Sequence, residues 1–440
     1  MTSDRASNEH AERRGSTQRD AKFRAGPVTI LQIVMLSSVV AAGCGPDATP
    51  TPPQIVIQPA SVTVNVCDRA RFTVVGGSSP GIVYQWFRDG IAIPGETTWW
   101  HEISHASVKD SGHHYFVTLT TAEGATRSDE VTLTVDGRPG VPIVLSDIPA
   151  NRLTVTATSI YWTSTGGVYE APIECGVPVR TLYERSSVYE RPVGLLVDGE
   201  MVYWSDQNIG FVARVPAAGG TPDLVARVQD PTDILRIGDR LYWGEPRGAA
   251  IQSRTVTGGP IEILPIGTYP ANFTFITATD GIDLFWVDSG ARTISTMPAG
   301  GGTITVLATG QESVHALKAT GGFLFWTSTI DGWSEGAVGQ VVAMNLATGA
   351  TSVLASAPGG SLALAVDATH VYWSGWAGTL AHALDGGASS LHRVPLTGGT
   401  AETLATGLTY PVALEVDEDF VYVGEGDMAA GDGRIVKYAK

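Results

Sequence analysis

An aromatic pair returns seven times between residues 141 and 440: Tyr161-Trp162, Tyr203-Trp204, Tyr242-Trp243, Phe285-Trp286, Phe325-Trp326, Tyr372-Trp373 and the degenerate Tyr422-Val423. Successive pairs stand 42, 39, 43, 40, 47 and 50 residues apart. A period near 40 built from strand-like segments is the spacing of a four-stranded unit repeated around a ring, the β-propeller. A helical repeat would place apolar residues at i, i+3 and i+4, and no copy does so.

The second copy shows the unit most clearly. Val193–Val197 reads as a first strand, Met201–Ser205 as a second, Phe211–Val215 as a third and Asp223–Ala226 as a fourth, with Gly219-Gly220 turning between the last two. Related Gly-rich turns recur at Gly258-Gly259, Gly300–Gly302 and Gly398-Gly399. A four-stranded sheet cannot cover both of its own faces, so the units must stack, with the large aromatic pairs filling the gaps. The last copy reads only as far as a third strand, Gly433–Tyr438, while Val141–Ser146 looks like an outer strand ahead of the first copy. The expected fold is therefore all-β, with a seven-bladed β-propeller over 141–440 closed by an N-terminal outer strand, which also removes an open sheet edge.

Three stretches carry a resemblance. Leu364–Asp367 reads LAVD, Tyr203–Asp206 reads YWSD, and Arg393–Leu396 reads RVPL ahead of Gly398-Gly399. Together they resemble the YWTD repeat of low-density-lipoprotein-receptor propellers. Those propellers have six blades and this chain shows seven copies, so the resemblance implies architecture and no particular ligand.

The N-terminus reads as an address. Arg13, Arg14, Arg19, Lys22 and Arg24 precede an apolar run from Val28 to Val40, too short to span a bilayer comfortably but suited to a signal peptide. Ala41-Ala42-Gly43-Cys44 then resembles a bacterial lipobox, with Ala41 where Leu is usual. The resemblance implies a signal peptide over 1–43 and lipid on Cys44; the alternative is an ordinary signal peptide cut near Ala42. Gly45 leaves no inner-membrane retention Asp, pointing to an outer-membrane lipoprotein, periplasmic or surface-exposed. Residues 44–53 form a Pro-rich tether. Residues 1–43 hold six basic and four acidic residues, so their removal takes the formal net charge from −16 to −18. Such an acidic chain has no basic face for nucleic acid.

Residues 54–136 hold short alternating runs separated by turns, the pattern of a β-sandwich. Trp86 and the segment Asp110-Ser111-Gly112 resemble an immunoglobulin-like (Ig-like) domain. The positions matching that family's two cysteines hold Val74 and Phe116, and His114 stands at the corner-Tyr position. The resemblance implies a spacer or adhesion module stabilised by apolar packing. Of the adjacent Trp99 and Trp100, at most one can face solvent on a strand. Cys67 falls in a turn of this module and Cys175 in a turn of the first repeat. Both turns should lie near the domain junction, so a Cys67–Cys175 bridge and two free thiols are the two alternatives.

Three connections between second and third strands are long: Thr329–Val338, Gly375–Ser390 and Gly424–Asp432. They open on one end of the ring and carry Trp333, Trp376, Asp331, Glu335, Asp385, Glu425 and Asp427; Asp206, Glu245 and Asp288 end the second strands of other copies on the same side. Such a face can take a cation, a cationic peptide or a sugar, or be a solvated acidic rim. No cofactor motif occurs, and no metal-ligand spacing supports a calcium ion there. His315, His370, His382 and His392 share no catalytic spacing, and Gly-x-Ser-x-Gly is absent. The reading is a non-enzymatic platform, anchored to the membrane by lipid, that binds an envelope protein, a peptide or a polysaccharide. A propeller hydrolase or lyase with its site at the mouth is the first alternative and a structural envelope scaffold the second.

Overall fold

Each aromatic pair lies on the second strand of a four-stranded antiparallel sheet. In the second sheet the strands are Pro192–Asp198, Met201–Asp206, Phe211–Pro216 and Asp223–Arg227, paired in that order. The structure is a computed structural model, and it describes residues 51–77, 80–137, 141–175, 177–266, 277–330, 337–376, 389–427 and 432–440. Among these, seven such sheets follow one another along the chain. The expected signal peptide, Cys44 and most of the expected tether fall within residues 1–50, outside the described residues.

Successive strand residues project to opposite faces, so one aromatic pair serves two gaps. Tyr161 of the first sheet and Trp204 of the second share one apolar cluster. Tyr203 then packs with Trp243, Tyr242 with Trp286, Phe285 with Trp326 and Phe325 with Trp373. In the degenerate copy Val423 takes the Trp position and packs with Tyr372. Tyr422 meets Trp162 of the first sheet, which closes the circle. The first strands of the seven sheets also touch in cyclic order, the seventh against the first. This is a propeller-like ring.

The seventh sheet draws strands from both ends of the ring's chain. Pro411–Val416, Phe420–Asp427 and Asp432–Ala439 supply three strands, and Ile143–Ser146 is the outer fourth. It runs antiparallel to Asp432–Ala439, with Ile143 opposite Lys437 and Val144 opposite Val436. Two side chains clamp this closing sheet to its neighbours. Lys440 Nζ donates to Asp367 of the sixth sheet at 2.5 Å, and Lys437 Nζ donates to the Ile173 carbonyl of the first at 2.7 Å. Between third and fourth strands, Gly219 and Gly220 both take positive φ (89° and 144°), a conformation that glycine adopts without a Cβ penalty.

Ahead of the ring, ten short strands form a sandwich. Val62–Asn65 runs parallel to Val131–Asp136, which continues through His114–Thr121 and Val83–Arg88. Ala70–Thr73 and Trp100–Ile103 make a separate pair. Phe72, Trp86, Tyr115, Val117, Leu119 and Leu133 are buried between them. Trp86 Nε1 donates to the Thr98 carbonyl at 3.0 Å. The ring-on-ring contact is Phe72–Tyr115, with centroids 4.7 Å apart. Of the two residues at the expected cysteine positions, Val74 is buried in this core and Phe116 is not part of it. Alternation along His114–Thr121 turns Tyr115 and Val117 inward, so Phe116 faces the other way, stacked on Phe87 at 4.6 Å beneath the Arg127 guanidinium. Cys67 and Cys175 are joined in a disulfide with Cα atoms 5.4 Å apart. One apolar cluster runs from Phe72 and Trp86 through Val66 to Trp162 and Ile435, continuous between sandwich and ring. Two single turns of 3-10 helix, Val108–Asp110 and Pro246–Gly248, are the helical segments among the described residues.

Candidate functional site: the ring axis and the loop-bearing face

The two residues after the aromatic pair, Ser205-Asp206 in the second copy, show what the repeat's form does. In three copies a hydroxyl one place after the Trp stitches its sheet to the next. Thr163 Oγ1 donates to the Val193 carbonyl at 3.2 Å, Ser205 Oγ to Thr232 at 2.6 Å and Ser374 Oγ to Pro411 at 2.7 Å. Ser205 Oγ also accepts from Gly194 N–H at 2.9 Å, so one hydroxyl satisfies buried backbone on two chain segments. The acid at the following place closes a turn. Asp206 accepts from Ile209 N–H at 2.8 Å and Arg191 N–H at 2.6 Å, and Asp288 accepts from Ala291 N–H at 2.7 Å.

These bonds revise the acidic face. Asp206 is fully buried; burial pushes its carboxyl above the usual range, against the pull of the Ile209 and Arg191 N–H groups. Glu425 is buried as well and is held by Arg434 Nε at 2.9 Å. Glu245 is half-buried and accepts from Gln252, whose own Oε1 takes the Trp243 indole N–H at 3.2 Å. Asp288 is half-buried on its turn. The carboxylates are therefore committed to the fold, Asp206 and Asp288 to backbone N–H groups of their turns and Glu245 and Glu425 to neighbouring side chains. Trp376 is corrected too. It is 1% exposed, packed with Leu362 and Tyr410 over Gly360, so it is core rather than a surface anchor. Asp331, Trp333, Glu335 and Asp385 lie outside the described residues.

The groups that sequence reasoning passed over sit on the first strands. Around the axis these strands enclose a cavity of about 340 Å³, lined by residues of all seven sheets. Arg152 of the first sheet reaches Asp233 of the third, Nε to Oδ1 at 2.9 Å and Nη2 to Oδ2 at 3.4 Å. Lys318 of the fifth reaches Glu415 of the seventh at 3.1 Å. Both pairs skip the sheet between and tie non-adjacent sheets across the axis. Further along the same strands Arg236 pairs with Asp198. His315 lines the cavity edge-on to Trp376, centroids 6.2 Å apart; burial lowers its pKa to about 4, leaving a neutral imidazole at neutral pH. The one sequence signal was an ionisable residue inside otherwise apolar inner strands, as in Val314–Thr320.

Chemically, the described residues offer little to a metal: no three His, Cys, Asp or Glu side chains converge. Both cavity carboxylates are already paired with a cation. Away from the axis, the shortest hydroxyl–imidazole contact among the described residues involves a serine. Ser390 Oγ lies 2.6 Å from His392 Nε2, and His392 Nδ1 lies 3.1 Å from Thr403 Oγ1. Ser-x-His on a strand puts both side chains on one face. The imidazole is oriented by a hydroxyl, not by the carboxylate that would stabilise an imidazolium.

No family model matches this chain, and no curated protein matches it in sequence. Solved structures do. It is similar to a streptogramin B lyase at 12% identity, over 68% of this chain and 97% of that one, with a TM-score of 0.50. The likeness is one of fold. It is also similar to a chain of a nidogen/laminin complex (18% identity, 64% and 94% covered, TM-score 0.38). A quinoprotein alcohol dehydrogenase-like protein from Bacteroides thetaiotaomicron matches at 9% identity, 81% and 96% covered, with a TM-score of 0.46.

Proposed function

We propose that this chain is a lipid-anchored protein of the outer membrane whose ring, read as a seven-bladed propeller, is a binding platform. Cys44 carries the lipid, residues 44–53 are the tether, and the 54–136 sandwich is an Ig-like spacer or adhesion module. The partner is an envelope protein, peptide or polysaccharide. One observation carries the reading. In the first four sheets the second and third strands are six residues long, whereas in the fifth, sixth and seventh they are eight, seven and eight. Measured from the aromatic pair, the added residues all lie at the end that bears the long loops. Three neighbouring sheets thus raise one sector of one face, which is how repeat folds build recognition surfaces. The axial charges are paired with each other, which favours a binding platform over a reaction centre at the axis.

The test is capture from envelope extract and from purified cell-wall polysaccharide. The full-length protein is compared with a variant in which residues 331–336 and 377–388 are each replaced by Gly-Gly. Loss of capture in the variant supports the reading; equal capture by both overturns it. Labelling with an alkyne fatty acid tests the anchor: label on wild type that Cys44→Ser loses is expected, and an unlabelled wild type removes the anchor.

The Ser390–His392 contact favours a second reading, a hydrolase. Labelling by a serine-reactive phosphonate that both Ser390→Ala and His392→Ala abolish would establish it, and no labelling would end it.

A further inference from the structure

We propose that the cleft between the second and third sheets, on the loop-bearing face, is a subsite for a neutral sugar. It occupies a different sector from the long loops and stands apart from the preceding reading. The cleft measures about 540 Å³, inside the roughly 300–1,000 Å³ that ligand sites occupy. Tyr189, Gln207, Asn208, Gln229, Asp230 and Arg247 line it.

Their chemistry selects the ligand. Tyr189 is 73% exposed, a large ring at the rim with an open face. An aromatic ring offers a pyranose an apolar platform for its C–H face while the phenol stays wet. Gln207, Asn208 and Gln229 carry side-chain amides, each both donor and acceptor, as every sugar hydroxyl is. Arg247 and Asp230 pair with each other at 3.4 Å, and Arg191 Nη1 beside them donates to Gln207 Oε1 at 3.4 Å, so each of these charged groups already has a partner within the fold. A peptide is held by a free strand edge or by apolar pockets, and the lining is chiefly polar.

The walls are held rigidly, which lowers the ordering cost of binding. Glu190, 5% exposed, accepts from Tyr183 Oη at 2.6 Å and from Ser186 Oγ at 2.5 Å, fixing the loop that presents Tyr189. Asp206 pins that loop, through Arg191 N–H, to the turn bearing Gln207 and Asn208. Gly210 closes the turn at φ +82°, directly against the Val228 carbonyl, where any Cβ would collide. Val228 N–H returns a bond to the Gly210 carbonyl at 3.1 Å, which sets Gln229 and Asp230 in place. Two buried carboxylates and one glycine thus hold a polar cleft beside an exposed ring.

The experiment is a glycan array of neutral, acidic and amino-sugar oligosaccharides, probed with the full-length protein and followed by calorimetric titration of whatever is retained. Wild type is expected to retain neutral oligosaccharides. Tyr189→Ala and Gln229→Ala should each weaken that binding about tenfold, the scale of one lost stacking or hydrogen-bonding contact, with unchanged thermal midpoints. Tyr189→Phe, which keeps the platform, should bind within about twofold of wild type. Retention of acidic glycans alone, no retention, or equal retention by Tyr189→Ala overturns the proposal. Retention lost in the loop-replaced variant but kept in Tyr189→Ala also overturns it, by assigning the sugar to the long-loop sector.

Discussion

Tyr372 donates its hydroxyl to Asp367 Oδ2 at 2.9 Å, and the relation recurs five residues apart at Tyr422 and Asp417, at 2.7 Å. In both copies the Asp ends the first strand and closes the hairpin, and the Tyr fills the gap to the next sheet. Asp367 also accepts from Thr369 N–H, His370 N–H and Lys440 Nζ. Burial alone would raise its carboxyl; the Lys440 ammonium and the N–H groups outweigh it and hold Asp367 far below the usual carboxylate range. Asp367→Asn should cost about 2 kcal/mol at neutral pH. Because the folded state depresses this pKa, the stabilisation is present above about pH 4 and is lost as pH falls below it. Urea unfolding of both proteins from pH 6 to pH 3 should show the gap narrowing in acid; a constant gap would refute this role for the carboxylate.

Lys437 has the opposite sign. It is 4% exposed, and burial lowers its pKa to about 8, with Asp417 and Asp419 pulling it back. Between pH 8 and about 10.4 the unfolded chain binds a proton that the folded chain does not, so stability rises with pH across that window. Relative to Lys437→Met, wild type should gain up to about 3 kcal/mol from pH 8 to pH 10. Buried Tyr372 and Tyr422, held protonated, erode stability above pH 10 in both proteins, so the difference between them is the quantity to follow. A flat difference would refute the shift.

Trp376→Ala should lower stability by about 3–5 kcal/mol, as deleting a fully buried aromatic does. A surface anchor would leave the thermal midpoint unmoved. Calorimetry separates the two, and Gly360→Ala, which drives a methyl into the Trp376 ring, should destabilise as well.

Ser205→Ala strips the bond between the second and third sheets and leaves the Gly194 N–H and the Thr232 carbonyl short of a partner. A loss of about 1–3 kcal/mol is expected, with fast exchange of the Gly194 amide in hydrogen–deuterium exchange. Protection of that amide equal to wild type would show that another group takes over the bond.

Cys67 and Cys175 are separated by 108 residues in sequence. Closing so long a loop should contribute about 2–5 kcal/mol. Thiol labelling of the unfolded, unreduced protein should leave both cysteines unmodified. Labelling at either one would remove the bridge, and Cys67→Ser should lower the denaturation midpoint.

Architecture was legible because it rests on periodicities. The Tyr-Trp pair shows alternation, repeat length and gap-filling together, and Val141–Ser146 shows by its own pattern that one strand precedes the first copy. The acidic residues were less legible. Asp206 and a ligand-facing Asp read alike in sequence; what distinguishes them is that Arg191 N–H, fifteen residues away, folds back onto the carboxylate. Trp376 was misplaced for a related reason: a Trp one residue beyond the usual strand end reads as loop unless the strand is known to be longer there. The pairs Arg152–Asp233 and Lys318–Glu415 join residues 81 and 97 positions apart, and no local pattern encodes such a contact.

The shared seventh sheet has a consequence for biosynthesis. Ile143–Ser146 leaves the ribosome before any other strand of the ring, and its partner Asp432–Ala439 leaves after all the others. Six sheets can form while the chain is still being made, but the ring stays open until the last strand has emerged. Throughout that interval the faces of the first and sixth sheets and one early strand have no native neighbour. Closure is the slow, non-local step, and in the cell it is the step at which a chaperone has most to protect and a protease most to find.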